Sequence, residues 1–292
     1  MRFNSQFSNA LTIDALRSAV PSAFATEAHE SRSSRYAYIP TSEVIEGLMR
    51  EGFAPFKAVQ SRSRIEGKSE FTKHMIRFRH ADAIAAASGN IPEVVIINSH
   101  DGTSAYKLLS GIFRMICTNG LISWEKKMGE ISIHHKGNIV HQVIEGSFEI
   151  IGQSQKALGT IENWSALQIS AGEQNAFAEA AHTLRFADAD GKVETPITAA
   201  QLLTPRRRED RAENGSSWSR PAPDLYRTLN VVQENVIKGG ISARTPGDIR
   251  SRGRMVTTRE VKGIDQDVRL NRALWQLAER MAELKGVRTN AA

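Results

Sequence analysis

The chain has 292 residues, 40% of them hydrophobic and 24% charged, with a net charge of +6. That is room for one large globular domain or two small ones, and nothing in it approaches the apolar run needed to cross a bilayer. One cysteine excludes an internal disulfide and a cysteine-based zinc site.

The first 35 residues start without the compact apolar core of a signal peptide, so a bacterial cytoplasmic location is expected. Leu11, Ala15, Leu16 and Ala19 have helical spacing, which Pro21 ends before a polar connector. Thr41, Ser42 and Glu43 precede Val44, Ile45, Leu48 and Met49, one face of a short helix that stops at Gly52. Phe53 to Gln60 reads as a strand that Pro55 pushes to a sheet edge, and Ser61 to Lys68 as a charged turn. Phe71 to Phe78 alternates, but neither face is cleanly apolar. The expectation is a strand with one side on the core and the other facing solvent or ligand.

The run from Val94 to Ile97 is a buried strand that empties into Asn98-Ser99-His100-Asp101-Gly102. Tyr106 to Leu109 reads as another strand, and Ile112 to Cys117 fits either a strand or a short helix. Ile131 to His134 alternates like a strand. Val140 to Leu158 is helical, with Val143, Ile144, Phe148 and Ile151 on one side, and Ala166 to Phe186 is an alanine-rich helix. Residues 188–223 are poor in apolar side chains and read as a basic flexible linker. Asp224 caps a helix with the stripe Leu225, Leu229, Val232 and Val236, closed by Gly239-Gly240. A second basic, turn-rich segment covers Ser242 to Arg259. The last helix carries a packing seam of Leu270, Leu274, Leu277, Met281 and Leu284, open to a dimer contact.

These elements predict an α+β fold: a central, mainly antiparallel sheet with helices packed on one face, followed by a C-terminal helical segment. The expected parts are an N-terminal helical extension (1–35), the α+β core (36–187), the linker (188–223) and the helical segment with its basic loop (224–292).

Charge is segregated along this layout. Residues 50–80 carry a net +5 and residues 201–262 a net +6, leaving −5 for the rest. Such a field suits a polyanion, although basic loops also serve solubility alone. The candidate phosphate contacts are Lys73, His74, Arg77, Arg79, Asn98, Ser99 and Arg114 in the core, with Arg206, Arg207, Arg208, Arg250, Arg252 and Arg254 in the basic segments. Phe78, Tyr106 and Trp124 are the candidates to stack on bases. No helix-turn-helix pattern accompanies them, so base-specific reading is not implied.

Two other readings of the Asn98–Asn119 region stay open. One is structural, with Asn98 and Asp101 capping a turn and Arg114 satisfying carbonyls or Asp101. The other is catalytic, a hydrolase centred on His100, Asp101 and Arg114 with Cys117 as a further nucleophile to weigh. Residues adjacent on a strand point to opposite sides, which counts against a His100–Asp101 dyad and against a metal site on His134 and His135. No metal motif, glycine-rich phosphate loop or cofactor is expected.

The segments TKHMIRFR (Thr72 to Arg79), PEVVIINSHDGTSAYKLLSGIFRMICTNG (Pro92 to Gly120) and GIDQDVRLNRALW (Gly263 to Trp275) together resemble the YfjQ/YafZ family. Its members are proteins of prophages and plasmids, classed as a domain of unknown function, and the resemblance covers roughly Arg35 to Lys285. It implies a mobile-element setting and hence DNA transactions such as recombination, single-strand annealing, replication or defence against restriction. With the charge pattern, the expectation is a non-enzymatic binder of nucleic acid, single-stranded DNA above all. A hydrolase or a protein-binding accessory factor, such as an anti-defence protein, is the alternative.

Overall fold

The computed structural model describes residues 9–31, 38, 40–65, 67–87, 89–115, 119–123, 130–133, 139–212, 220–247 and 253–287. Two compact units meet in sequence at Ala157/Leu158. The first contains α1 (Ile13–Ala19), α2 (Thr41–Arg50), β1 (Phe53–Gln60), β2 (His74–His80), α3 (Ala81–Ala85), β3 (Asn90–Asn98), β4 (Tyr106–Arg114), β5 (Asn119–Ile122) and β6 (Glu130–Ile133). It also holds most of α4 (Ile139–Ala166).

The strands form one six-stranded antiparallel sheet in the order β1-β2-β3-β4-β5. β4 is long enough to serve two partners. Gly111 to Arg114 pair with β5, and Tyr106 to Leu109 pair with β6. β1 lies at the edge, where a proline costs no ladder bond, and its register slips between Pro55 and Lys57. Alternation sets one face of the sheet: Ile76 and Phe78, Val94 and Ile96, Tyr106 and Leu108, and Ile133. Against this face pack Leu16 and Val20, Val44, Ile45 and Leu48 of α2, and Val143 and Ile150 of α4. This is the expected α+β arrangement, with the helices on one face.

The buried row of α4 is Val143, Ser147, Ile150, Ser154 and Ala157, not the more hydrophobic Phe148, which is 43% exposed. The two serines sit in the core because each donates to the carbonyl four residues back, Ser147 to Val143 and Ser154 to Ile150. Ser154 also shares a hydrogen bond with Ser110 of β4 at 3.0 Å. Gly146 lets the helix approach the sheet closely; a Cβ there would lie 2.7 Å from Leu108.

The second unit holds α5 (Ala171–Phe186), α6 (Ala199–Leu202), α7 (Leu225–Lys238), β7 (Ser242–Arg244), β8 (Met255–Thr257) and α8 (Ile264–Leu284). α7 is its central helix, with twelve of fourteen residues buried. Asp224 caps it by accepting from the Arg227 amide at 2.8 Å, and Gly239 closes it at φ 63°. Trp164 and Trp275 pack with ring centres 4.6 Å apart and planes tilted by 50°. The polar residues of α7 bond to surrounding segments: Gln233 donates to Asn271, and Asn235 donates to the carbonyls of Leu202 and Thr204. On α8 the buried row is Leu270, Asn271, Leu274, Trp275, Ala278 and Ala282, while Leu284 is 88% exposed. The expected leucine seam therefore holds only for its first turns.

Among the described residues no helix is long and apolar enough to cross a membrane.

Candidate nucleic-acid interface

The basic strand β2 does not turn its arginines outward. Arg77 and Arg79 alternate onto the sheet face away from the helices, and Glu93 of the neighbouring β3 lies on the same face. Arg77 Nη1 donates to one Glu93 oxygen at 2.9 Å, and Arg79 Nε donates to the other at 2.8 Å. Arg77 also donates to the Gly120 carbonyl. The Arg79 guanidinium is held between the rings of Phe56 (4.1 Å) and Phe113 (3.5 Å). Burial lowers its pKa against the opposing pull of Glu93. Met75, Val95, Ile97 and Leu109 on this face are buried as well. The side expected to meet solvent or ligand is instead closed, because its charges find each other across the strands.

The candidate stacking rings Phe78 and Tyr106 have no exposed surface and belong to the core. Burial raises the Tyr106 hydroxyl pKa, and the hydroxyl has no hydrogen-bond partner among the described residues. Lys73, at the entry to β2, is half-buried.

The polar cluster around Asn98 is a buried network centred on Thr41, the first residue of α2. The Thr41 hydroxyl lies 3.0 Å from Asn98 Nδ2, 3.1 Å from His74 Nε2 and 3.4 Å from His100 Nε2. Asn98 can only donate to it. The set closes when His100 Nε2 also donates to the hydroxyl and the hydroxyl donates to His74 Nε2. The protonated Nδ1 of His74 then points at the Thr72 carbonyl and at Ser22 Oγ, both within 3.3 Å. Burial, and secondarily His100, hold the pKa of His74 down to about 3. His74, His100, Thr41 and Ser22 are wholly buried. Thr41 thus ties α2 to the sheet instead of capping its own helix.

Ser99 accepts from the Ser104 amide at 2.9 Å and shapes the turn. Asp101 accepts from the Thr103 hydroxyl and amide and pairs with Lys68 at 3.5 Å. Burial alone would raise its pKa, but these donors, with Ser99, hold the carboxyl below its ordinary value. Arg114 is elsewhere. It pairs in register with Asn90, eight residues along β3 from Asn98. At roughly 3.3 Å per residue that is about 26 Å away. The strand register therefore does not bring Arg114 to His100 and Asp101, either as a catalytic group or as a support for their turn. Among the described residues no three His, Cys, Asp or Glu side chains group to hold a metal.

In the second unit the two basic segments differ. Arg206 donates to Asn235 Oδ1 at 2.7 Å and to the Gly239 carbonyl, so it caps the end of α7. Arg207 reaches Glu234 at 3.5 Å, while Arg208 is exposed. In the described part of 242–259, β7 and β8 pair as an antiparallel arm, in which Arg244 faces Met255 and Ser242 faces Thr257. Its root is fixed on α7. The Gly240 amide donates to Thr258 O, the Val261 amide donates to Ile237 O, and Arg185 donates to the carbonyls of Val236 and Arg259. Near the tip, the Thr245 and Arg254 backbones bond at 2.9 Å and Arg244 donates to the Gly253 carbonyl. Arg244, Arg254, Met255 and Arg259 are exposed.

Arg244 and Arg259 were not among the residues singled out by sequence. The signal that finds Arg244 is the paired Ser-Ala-Arg and Met-Val-Thr, two short alternating runs around a Gly-containing connection. Cys117, Trp124, His134, His135, Arg250 and Arg252 lie outside the described residues.

The chain belongs to the family described as Domain of unknown function (DUF932), which matches residues 28–275. It is 44% identical over 269 residues to UPF0380 protein YafZ of Escherichia coli K12, covering 92% of this chain and 90% of that protein. It is 43% identical to UPF0380 protein YfjQ of the same organism, over the same shares of both chains. No solved structure matches significantly.

Proposed function

We propose that this protein binds nucleic acid, single-stranded DNA first, in the cytoplasm, and that the β7–β8 arm makes the principal contact. The observation that carries this reading is the difference between its arginines. Those of β2 are paired inside the sheet, and Arg206 and Arg207 bond to α7 and its end. Arg206 and Arg208 also reach the surface, but the arm concentrates exposed Arg244, Arg254 and Arg259 in a segment that holds five arginines against one acid over residues 242–259. Arginines alternating with serine, glycine and threonine follow a phosphate backbone without the fixed groove geometry of a duplex. The work proposed for the protein is binding and positioning of strands in recombination, annealing or replication of a mobile element, not bond cleavage.

The test is binding of the full chain to labelled single- and double-stranded oligonucleotides across a salt series. Each phosphate contact contributes about 0.7 to the log–log slope on single strands. Arg244→Ala with Arg254→Ala should flatten that slope by about 1.4. Absence of binding to every oligonucleotide at low ionic strength overturns the reading.

A further inference from the structure

We infer that the first unit carries a second contact for the same nucleic acid, at the β1–β2 hairpin, made by Arg62, Arg64 and Ile65. This rests on the nucleic-acid reading above and assigns it a second site.

The described residues of the segment joining the two strands, 61–65 and 67–73, form a built platform. The Ser61 amide donates to the Lys73 carbonyl at 2.8 Å where the strands part. Thr72 donates to the Ser61 carbonyl at 2.9 Å and lies 3.0 Å from that of Ser69, while Gln60 Nε2 donates to Ser69 O at 2.7 Å. Lys68 is tied down to Asp101. The Ser63 hydroxyl accepts from the Ile65 amide at 3.0 Å and so bends the chain at its tip. Every one of these bonds uses backbone or a Ser, Thr, Gln, Lys or Asp side chain. Arg62 and Arg64 take part in none of them and are exposed.

Ile65 is 64% exposed. A β-branched residue at the tip of a polar turn gains nothing from packing there and is outside the usual turn residues. A preordered loop that holds two arginines and an aliphatic side chain in water suits a partner with both charge and apolar faces. Nucleic acid offers phosphates and unstacked bases together, and preordering lowers the entropy lost on binding.

The same pairing occurs independently on the arm of the second unit. There the exposed Met255 follows Arg254 and faces Arg244 across the ladder. No acid lies between Phe53 and Ile65, and Lys57 adds a further exposed cation on β1. Arginine beside an exposed aliphatic thus occurs on a basic loop of each unit, which suits one extended polyanion as the shared occupant. Two linked contacts on one strand bind more tightly than either alone.

The experiment uses the full chain and single-stranded DNA of about 10 and about 60 nucleotides, one within and one well above the site size of a single module. Arg62→Ala with Arg64→Ala should weaken binding to the long oligonucleotide about tenfold or more and flatten its salt slope by about 1.4. The same pair should change affinity for the short one far less. Ile65→Ser, with both arginines kept, should lower affinity for DNA but not for inorganic polyphosphate, which has no bases. Thermal melts of each variant should match the native chain, since the substituted side chains are exposed. If the arm variant loses affinity while the Arg62/Arg64 pair keeps both affinity and slope on the long strand, the second contact is wrong and the arm reading stands. If the native chain binds neither oligonucleotide, both fall. Equal loss of DNA and polyphosphate binding in Ile65→Ser overturns the base-contacting role.

Discussion

Arg77 and Glu93 meet at 2.9 Å between β2 and β3, with side chains 2% and 1% exposed. The opposite Glu93 oxygen takes Arg79, so one carboxylate answers two guanidinium groups in the sheet. Removing it strands both. Glu93→Ala should destabilise the first unit by about 3–5 kcal/mol, the usual cost of an uncompensated buried charge. Replacing all three by Arg77→Met, Arg79→Met and Glu93→Leu should cost less than that single change, because no charge is then left unpaired. Urea unfolding of the two variants decides it. A Glu93→Ala chain as stable as the native one would show that water reaches the arginines.

The Thr41 network predicts acid sensitivity. His74 has a pKa near 3 in the folded chain, against 6.5 unperturbed. Below about pH 6.5 the unfolded chain therefore takes up a proton that the folded chain refuses. The contribution of this site is complete above pH 6.5 and shrinks as pH falls towards 3. At about pH 5 the loss is on the order of 2 kcal/mol. Melting temperatures at neutral and acid pH should show it, and His74→Gln should make the dependence shallower. An unchanged dependence in that variant would place the acid effect at other groups.

The order of elements and their alternation were readable because they depend on local pattern. Pro55 marked the edge strand, Gly239-Gly240 marked the end of α7, and Asp224 marked its start. What misled was hydrophobicity taken without geometry. Phe148 looks like a core residue of α4, yet the row that meets the sheet is Val143, Ser147, Ile150 and Ser154, and serines fit there because they bond within their own helix. The site fared similarly. FTKHMIRFR displays two arginines, but their partner Glu93 belongs to a different strand, and only the register shows that the charges close on each other. His100, Asp101 and Arg114 look close in sequence, whereas an extended strand separates the last from the others.

The α8 seam departs from its leucine spacing in the same way. Leu284 continues the leucine spacing but is 88% exposed, and Ala278 is fully buried. Leu284→Ser should change stability by no more than about 0.5 kcal/mol, whereas Ala278→Leu should cost about 1–3 kcal/mol by overpacking. Thermal melts at several protein concentrations are the measurement. A large, concentration-dependent loss in Leu284→Ser would mean that a second copy covers the end of this helix.

Geometry and charge in the arm can be separated with two glycines. Gly253 has φ 69°, and a Cβ there would lie 2.1 Å from the Thr245 carbonyl oxygen. Gly239 has φ 63°, and its Cβ would lie 2.5 Å from the Arg259 backbone. Both positions are strained for any L side chain, by about 1–2 kcal/mol before the clash is counted. The consequences differ because the first glycine lies against Thr245 beyond the β7–β8 pair and the second seats the root of the arm on α7. Gly239→Ala should lower the melting temperature of the chain, since Val261 and the Arg185 contacts lie beside it. Gly253→Ala should shift the melt less than Gly239→Ala does, because the two strands of the arm can part locally without disturbing α7, yet weaken DNA binding with every arginine still present. Anisotropy titrations of that variant, beside Arg244→Ala with Arg254→Ala, distinguish a shaped arm from a loose cluster of charge. Native affinity in Gly253→Ala, with loss in the arginine pair, would mean that charge alone acts and that the hairpin geometry is incidental to binding.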